Sequence, residues 1–211
     1  MRAVKLEAVT IDAFGTLLAL RDPVPALQDA LAARGVDRTE KEVRRAFEAE
    51  AGYYVARSHD GRDEATLALL RRDCTRVFLD AARAEIDAAA FTTVFLDALV
   101  FEELPGAAAA CRSLAEAGLR LAVVSNWDIG LHEHLGGLGL DTLVDAVVTS
   151  AEAEAPKPAP ALFELALARL GVSPAHGVHI GDAPADEEGA HAAGMRFEPA
   201  PLADAARRIL A

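Results

Sequence analysis

Lysine is scarce in this chain. Only three of its 21 basic residues are lysine, at positions 5, 41 and 157; the rest are arginine. Acidic residues outnumber basic ones, 33 to 21, so the formal net charge is −12. A general nucleic-acid binder needs a basic footprint, so that class is excluded. Docking on an anionic lipid surface is excluded for the same reason. There are two cysteines, Cys74 and Cys111, far apart and in no CxxC or metal-ligand spacing. That excludes a disulfide framework and a zinc site and leaves two reduced thiols as the expectation. No apolar run approaches the 18 residues of a membrane span. The first residues, MRAVKLEAV, lack the long apolar stretch of a signal peptide, so a cytoplasmic protein is expected.

What the chain does have is apolar side chain, 52% of residues, with 26% charged. That is the composition of an ordered globular protein. Its 211 residues suit one domain, or one with a sizeable insertion. Val4 to Asp12 reads as a strand. From residue 17 to 100 the pattern is helical: one helix from Pro23 or Pro25 to Gly35, and a second opened by a Thr39–Glu42 capping box and running towards Arg57. Ser58 to Gly61 is a turn, and two further helices cover 63–85 and 87–100, with no strand expected anywhere in this block. From Leu104-Pro105-Gly106 onward strands and helices alternate, with strands at 119–124, 145–149, 177–180 and 195–197. Alternation of this kind means βαβ units and a parallel sheet covered on both faces. The first strand must join that sheet. The expected fold is therefore α/β, a Rossmann-like doubly wound core of residues 1–16 and 101–211, with a helical bundle inserted at 17–100.

Ligands of open α/β sheets bind beyond the carboxyl ends of the strands. Three expected strands end in polar residues there: Asp12, Ser125 and Asp182. Lys157 lies in the loop after a fourth. Singly, such residues are turn, cap or surface residues; together they point to one site.

These segments resemble the four motifs of the haloacid dehalogenase superfamily. Asp12-Ala13-Phe14-Gly15-Thr16-Leu17 is similar to the first, and Val123-Val124-Ser125-Asn126 to the second. Lys157-Pro158-x-Pro160 is similar to the third, and Ile180-Gly181-Asp182 with Asp186 to the fourth. The motifs occur in order and span nearly the whole chain. The inserted helices match the cap of the family's first cap class (subfamily IA, C1 cap). The resemblance implies a hydrolase with Asp12 as nucleophile, Ser125 and Lys157 as catalytic partners, and Mg²⁺ as cofactor. Gly15, Thr16, Ser125, Asn126 and Lys157 would hold the substrate, partly through a nest of backbone amides after Asp12. Asp12, Asp182, Asp186 and the Phe14 carbonyl would hold the metal, with Asp186 alternatively orienting bound water or Lys157. The implied reaction is phosphate-ester hydrolysis of a small phosphorylated metabolite through an aspartyl phosphate, by a monomer or homodimer.

One residue departs from the pattern. Phosphatases of the family usually carry a second aspartate two residues after the nucleophile, which protonates the leaving group. Here Phe14 stands there, which predicts slow turnover of poor leaving groups. It keeps open a 2-haloacid dehalogenase, whose halide needs no proton, and a non-catalytic phospholigand-binding protein. Other residues are read plainly. Lys5 flanks the first strand, and Lys41 faces water. His132 and His134 do not share a helical face and make a poor metal pair. His59 is a turn residue, Trp127 and Asp128 serve packing or capping, and Tyr53 and Tyr54 pack.

Overall fold

Residues 5–211 are described by the computed structural model. The chain divides into two compact units, residues 1–19 with 102–211 and residues 20–101. In the first, strand β1 (Ala8–Ile11) is buried along its whole length. Its apolar run leaves no solvent face, as a strand covered on both sides requires. Strand β2 (Leu18–Leu20) follows and carries the chain into the second unit.

The second unit contains helices α1 (Val24–Ala32), α2 (Glu40–Val55), α3 (Glu64–Ala81) and α4 (Ala88–Asp97). Helix α2 begins at the expected box: Thr39 accepts from the Glu42 amide, and Glu42 caps the Thr39 amide in return. Asp63 and Asp87 cap α3 and α4 in the same way, each accepting from the amide three residues on. The core of this unit is Val24, Leu27, Leu31, Val43, Phe78, Phe91 and Phe95, all fully buried. Phe78 lies 5.2 Å from Phe95 and 6.3 Å from Phe91, centroid to centroid.

The chain returns through β3 (Phe101–Glu103) and continues as α5 (Ala107–Glu116) and β4 (Arg120–Ser125). Next come α6 (Leu131–Gly137), β5 (Ala146–Thr149), α7 (Ser150–Ala153) and α8 (Ala161–Leu170). It ends with β6 (Gly177–Gly181), α9 (Pro184–Ala192), β7 (Arg196–Pro199) and α10 (Leu202–Leu210). The sheet order is β5-β4-β1-β6-β7, every pair parallel. The α/β core is thus as expected, with β1 at its centre. One face is sealed by Leu162, Phe163, Ala166 and Leu167 of α8 and Ala190 of α9. Both cysteines are free and buried, and no described helix is long and apolar enough to cross a membrane.

Two expectations need correction. Residues 17–100 were expected to hold no strand, but β2 lies there and pairs with β3 in a separate two-stranded sheet. Strands of three residues carry too little periodicity to read; they exist because the two chain crossings run side by side. The first strand is also shorter than 4–12, and Val4 lies outside the described residues.

Glu50 is a buried carboxylate on the second unit's α2. Burial pushes its pKa from 4.5 to about 7, and a hydrogen bond from the Cys74 thiol recovers only part of the cost. The folded state holds this proton to higher pH than the unfolded chain does. Stability is therefore lost as pH rises from about 4.5 to about 7 and is flat above that. Glu50→Gln should remove this loss and be more stable at pH 8 by about 2 kcal/mol. Urea melts of both proteins at pH 5 and pH 8 measure it.

Candidate active site

The carboxyl ends of β1, β4 and β6 are neighbours in the sheet, so the residues that follow them meet. Register brings Ile11 beside Val123 on one side and Ile180 on the other. The Asp12 amide continues the ladder by donating to the Ile180 carbonyl at 2.8 Å. Asp12, Ser125, Lys157 and Asp186 are all buried; Asp182 is exposed.

Lys157 is the centre of the cluster. Its Nζ donates to Asp12 Oδ1 at 2.5 Å, to Asp186 Oδ1 at 2.6 Å and to the Val124 carbonyl at 3.1 Å. An ammonium has three N–H bonds, so all are used. Burial works against its charge, but Asp12 and Asp186 outweigh burial and raise its pKa. Asn126 fixes the same lysine by its backbone. Asn126 Oδ1 accepts from the Lys157 amide at 2.7 Å, and Nδ2 donates to the Lys157 carbonyl at 3.3 Å. The side chain expected to touch substrate thus clamps the loop that carries Lys157.

The three carboxyls differ. Burial pushes Asp12 up to about 6, against the pull of Lys157, and the charges of Asp186 and Asp182 add to the rise. Ser125 Oγ donates to Asp12 Oδ1 at 3.2 Å. In Asp186 burial also opposes the charge, but the hydrogen bond with His179 and the charge of Lys157 prevail and hold the carboxyl well below its usual range. Asp186 Oδ2 accepts from the Ala183 amide at 3.0 Å. Asp182 is raised by partial desolvation and by the Asp186 charge. One oxygen from each of Asp12, Asp182 and Asp186 lies within 4.8 Å of the others.

Two glycines make room for this. Gly15, at φ +86°, passes so close to Asp182 that a Cβ there would lie 2.3 Å from Asp182 Oδ2. At Gly181 a Cβ would lie 2.3 Å from Asp186 Cγ. Amides of the Gly15 loop turn inward: Gly15 donates to the Leu18 carbonyl at 2.9 Å and Thr16 to that of Ala13 at 3.4 Å. Those two do not point into an anion nest. Thr16 Oγ1 is buried with no partner among the described residues. Phe14 is half exposed, its ring 6.4 Å from that of Trp127, which in turn lies 5.8 Å from His134. Trp127 is buried. His132 contacts Glu152 at 3.3 Å and is not drawn into the cluster. Lys41 is exposed.

His179 was not anticipated. It is fully buried, with Nε2 3.1 Å from Asp186 Oδ1 and Nδ1 2.8 Å from Thr10 Oγ1. The signal was present: a histidine inside the apolar run Val178-His179-Ile180 must find partners in the interior.

The sequence profile of the haloacid dehalogenase-like hydrolases matches residues 6–194. The chain belongs to that family. Haloacid dehalogenase-like hydrolase domain-containing protein 3 of Bos taurus is 47% identical over 96 residues, which are 45% of this chain and 38% of that protein. The chain thus matches about two fifths of the length of this relative. A phosphoglycolate phosphatase of Rhodospirillum rubrum is 37% identical over 155 residues, 72% of this chain and 56% of that one. The solved L-2-haloacid dehalogenase of Xanthobacter autotrophicus superposes with a TM-score of 0.66 at 25% identity, covering 91% of this chain and 76% of that one. Proteins similar to this chain thus include both phosphatases and dehalogenases.

Removing Lys157 would leave Asp12 and Asp186 buried without their cation. Lys157→Met should cost about 3 kcal/mol or more at pH 8. Adding Asp12→Asn should recover part of that loss. Denaturant titration of wild type, single and double variants measures both effects.

Proposed function

We propose that this protein is a hydrolase, a Mg²⁺-dependent phosphatase acting on a small phosphorylated metabolite through an aspartyl phosphate on Asp12. The observation that carries this reading is the convergence of Asp12, Asp182 and Asp186 beside a single buried ammonium. Three carboxylates and one lysine leave excess negative charge, which would repel a phosphate dianion. Hard carboxylate oxygens at this spacing suit Mg²⁺, which prefers oxygen and keeps several waters. Asp12, Asp182 and the Phe14 carbonyl would hold the ion. Asp186 already accepts from Lys157, His179 and the Ala183 amide, so its proposed part is to orient Lys157. The ion would neutralise charge on the phosphoryl group.

In this reading the Asp12 carboxylate attacks phosphorus, and the bond from phosphorus to the leaving oxygen breaks. Ser125 and Lys157 turn hydrogen bonds from Asp12 to the phosphoryl oxygens. Phe14 has no proton to give, so the leaving oxygen departs as an anion and takes its proton from water. A water molecule then adds to phosphorus, the bond to Asp12 breaks, and inorganic phosphate leaves with the carboxylate restored. The water's proton passes to solvent. The helical unit is proposed as the cap that selects the substrate.

A second reading, 2-haloacid dehalogenase, is favoured by the half-exposed Phe14 ring packed on Trp127. Similarity to the Xanthobacter enzyme adds to it. Asp12 would then attack the halogen-bearing carbon, and halide would leave without a proton.

An aryl phosphate and a 2-chloro acid separate the two. Phosphate release is expected only with Mg²⁺, lost in EDTA and at least about 1,000-fold lower in Asp12→Asn. Chloride release that persists in EDTA would overturn the phosphatase reading. Phe14→Asp should raise turnover of an alkyl phosphate by about 10- to 100-fold, because it supplies a proton for the leaving oxygen. No gain would show that Phe14 does not limit the reaction.

A further inference from the structure

The buried polar chain beneath the site begins on the central strand. Thr10 and His179 are direct register partners on β1 and β6, so their side chains leave the sheet on one face. Both are fully buried there. Phe163 closes against the imidazole edge-on, 4.9 Å between centroids at 87°, and Phe197 flanks it at 6.4 Å. No water path is needed to satisfy this histidine, because each ring nitrogen already has a partner.

The partners fix its proton. Asp186 Oδ1 accepts from the Lys157 ammonium at 2.6 Å, so it is an acceptor towards His179 as well, and Nε2 carries the hydrogen of the 3.1 Å contact. The ring is fully buried between Phe163 and Phe197, surroundings that disfavour a charged imidazole. Nδ1 then bears a lone pair, and the Thr10 hydroxyl must donate to it at 2.8 Å. One hydrogen-bond direction runs through the whole series: Thr10 to His179 to Asp186. Lys157 donates to the same Asp186 Oδ1 that His179 holds.

We propose that His179, oriented by Thr10, is a positioning residue that fixes the Asp186 carboxylate and through it the direction of the Lys157 ammonium. Its geometric part stands on the hydrogen-bond series alone. Its consequence for turnover rests on the phosphatase reading above. Without His179, Asp186 Oδ1 keeps only the lysine, and the carboxylate is held by that contact and by the Ala183 amide on Oδ2 alone. Lys157 then keeps its charge, but one of the three acceptors that aim it is less firmly held.

The small number of lysines makes this directly measurable. Changing Lys5→Arg and Lys41→Arg leaves Lys157 as the only lysine of the chain. With ¹⁵N-lysine labelling, this 211-residue chain should give one ammonium signal at neutral pH, protected from exchange with water. His179→Leu should speed that exchange at least about tenfold, and Thr10→Val at least about threefold. His179→Gln, whose amide nitrogen can donate to Asp186, should restore protection. Thermal melts show which variants are folded, and Thr10→Val decides the matter if His179→Leu does not fold. An aryl phosphate assay with Mg²⁺ provides the second readout. His179→Leu should lower kcat about tenfold with KM within about twofold, and His179→Gln should recover it. An absent wild-type signal, or one unchanged in a folded His179→Leu or Thr10→Val protein, overturns the proposal. Absent turnover in the wild type overturns the phosphatase reading and leaves the exchange result to stand or fall by itself.

Discussion

The site depends on one buried ammonium shared by two buried carboxylates. Lys157 reaches Asp12 and Asp186 at 2.5 and 2.6 Å, away from solvent. Desolvating three charged groups costs several kcal/mol each, and only close pairing offsets it. The surrounding structure serves that pairing. Asn126 holds the lysine's backbone, the Val124 carbonyl takes its third N–H, and the Ala183 amide and His179 hold Asp186. These groups come from the end of β4, from β6 and from the start of α9, so several segments converge on the one pairing.

Close packing of backbone and side chain is the second constraint. Asp186 occupies the space where any larger residue at position 181 would put its Cβ. Phe163 does the same at Gly189, where a Cβ would lie 2.4 Å from its ring. Together these two glycines let helix α9 approach β6 and α8 closely enough for the Asp186 carboxylate to reach the lysine. An alanine at either place would push the helix outward and break the contact on which the charge balance rests.

Much of this could be read from the residues in order. Asp12, Ser125 and Asp182 announced themselves as polar residues at the ends of apolar runs, and the parallel sheet that gathers them follows from alternating periods. The Thr39–Glu42 box placed the start of α2 because its chemistry is local. What could not be read was decided by distant partners. The strands β2 and β3 are three residues each, and neither has a pattern of its own. That Asn126 also clamps the loop around Lys157, 31 residues on, is visible only once the fold brings the two together. His179 was overlooked because its meaning lies in Thr10, its cross-strand neighbour 169 residues away. Sequence patterns report what a residue does to its own element. They are silent on pairings made by the topology.

The sheet order also governs how the molecule is made. β1 is the earliest of the sheet strands in the chain, yet its two neighbours, β4 and β6, begin only at residues 120 and 177. During synthesis the central strand leaves the ribosome with nothing to pair with. Residues 20–101, whose core contacts lie within one continuous stretch, can close on themselves while it waits. An apolar strand without partners is a target for other chains, and β1 stays open on one edge until β4 is made and on the other until β6 is. The length of that wait comes from the strand order and from the unit inserted between β1 and β4, and the stability of the finished protein does not shorten it.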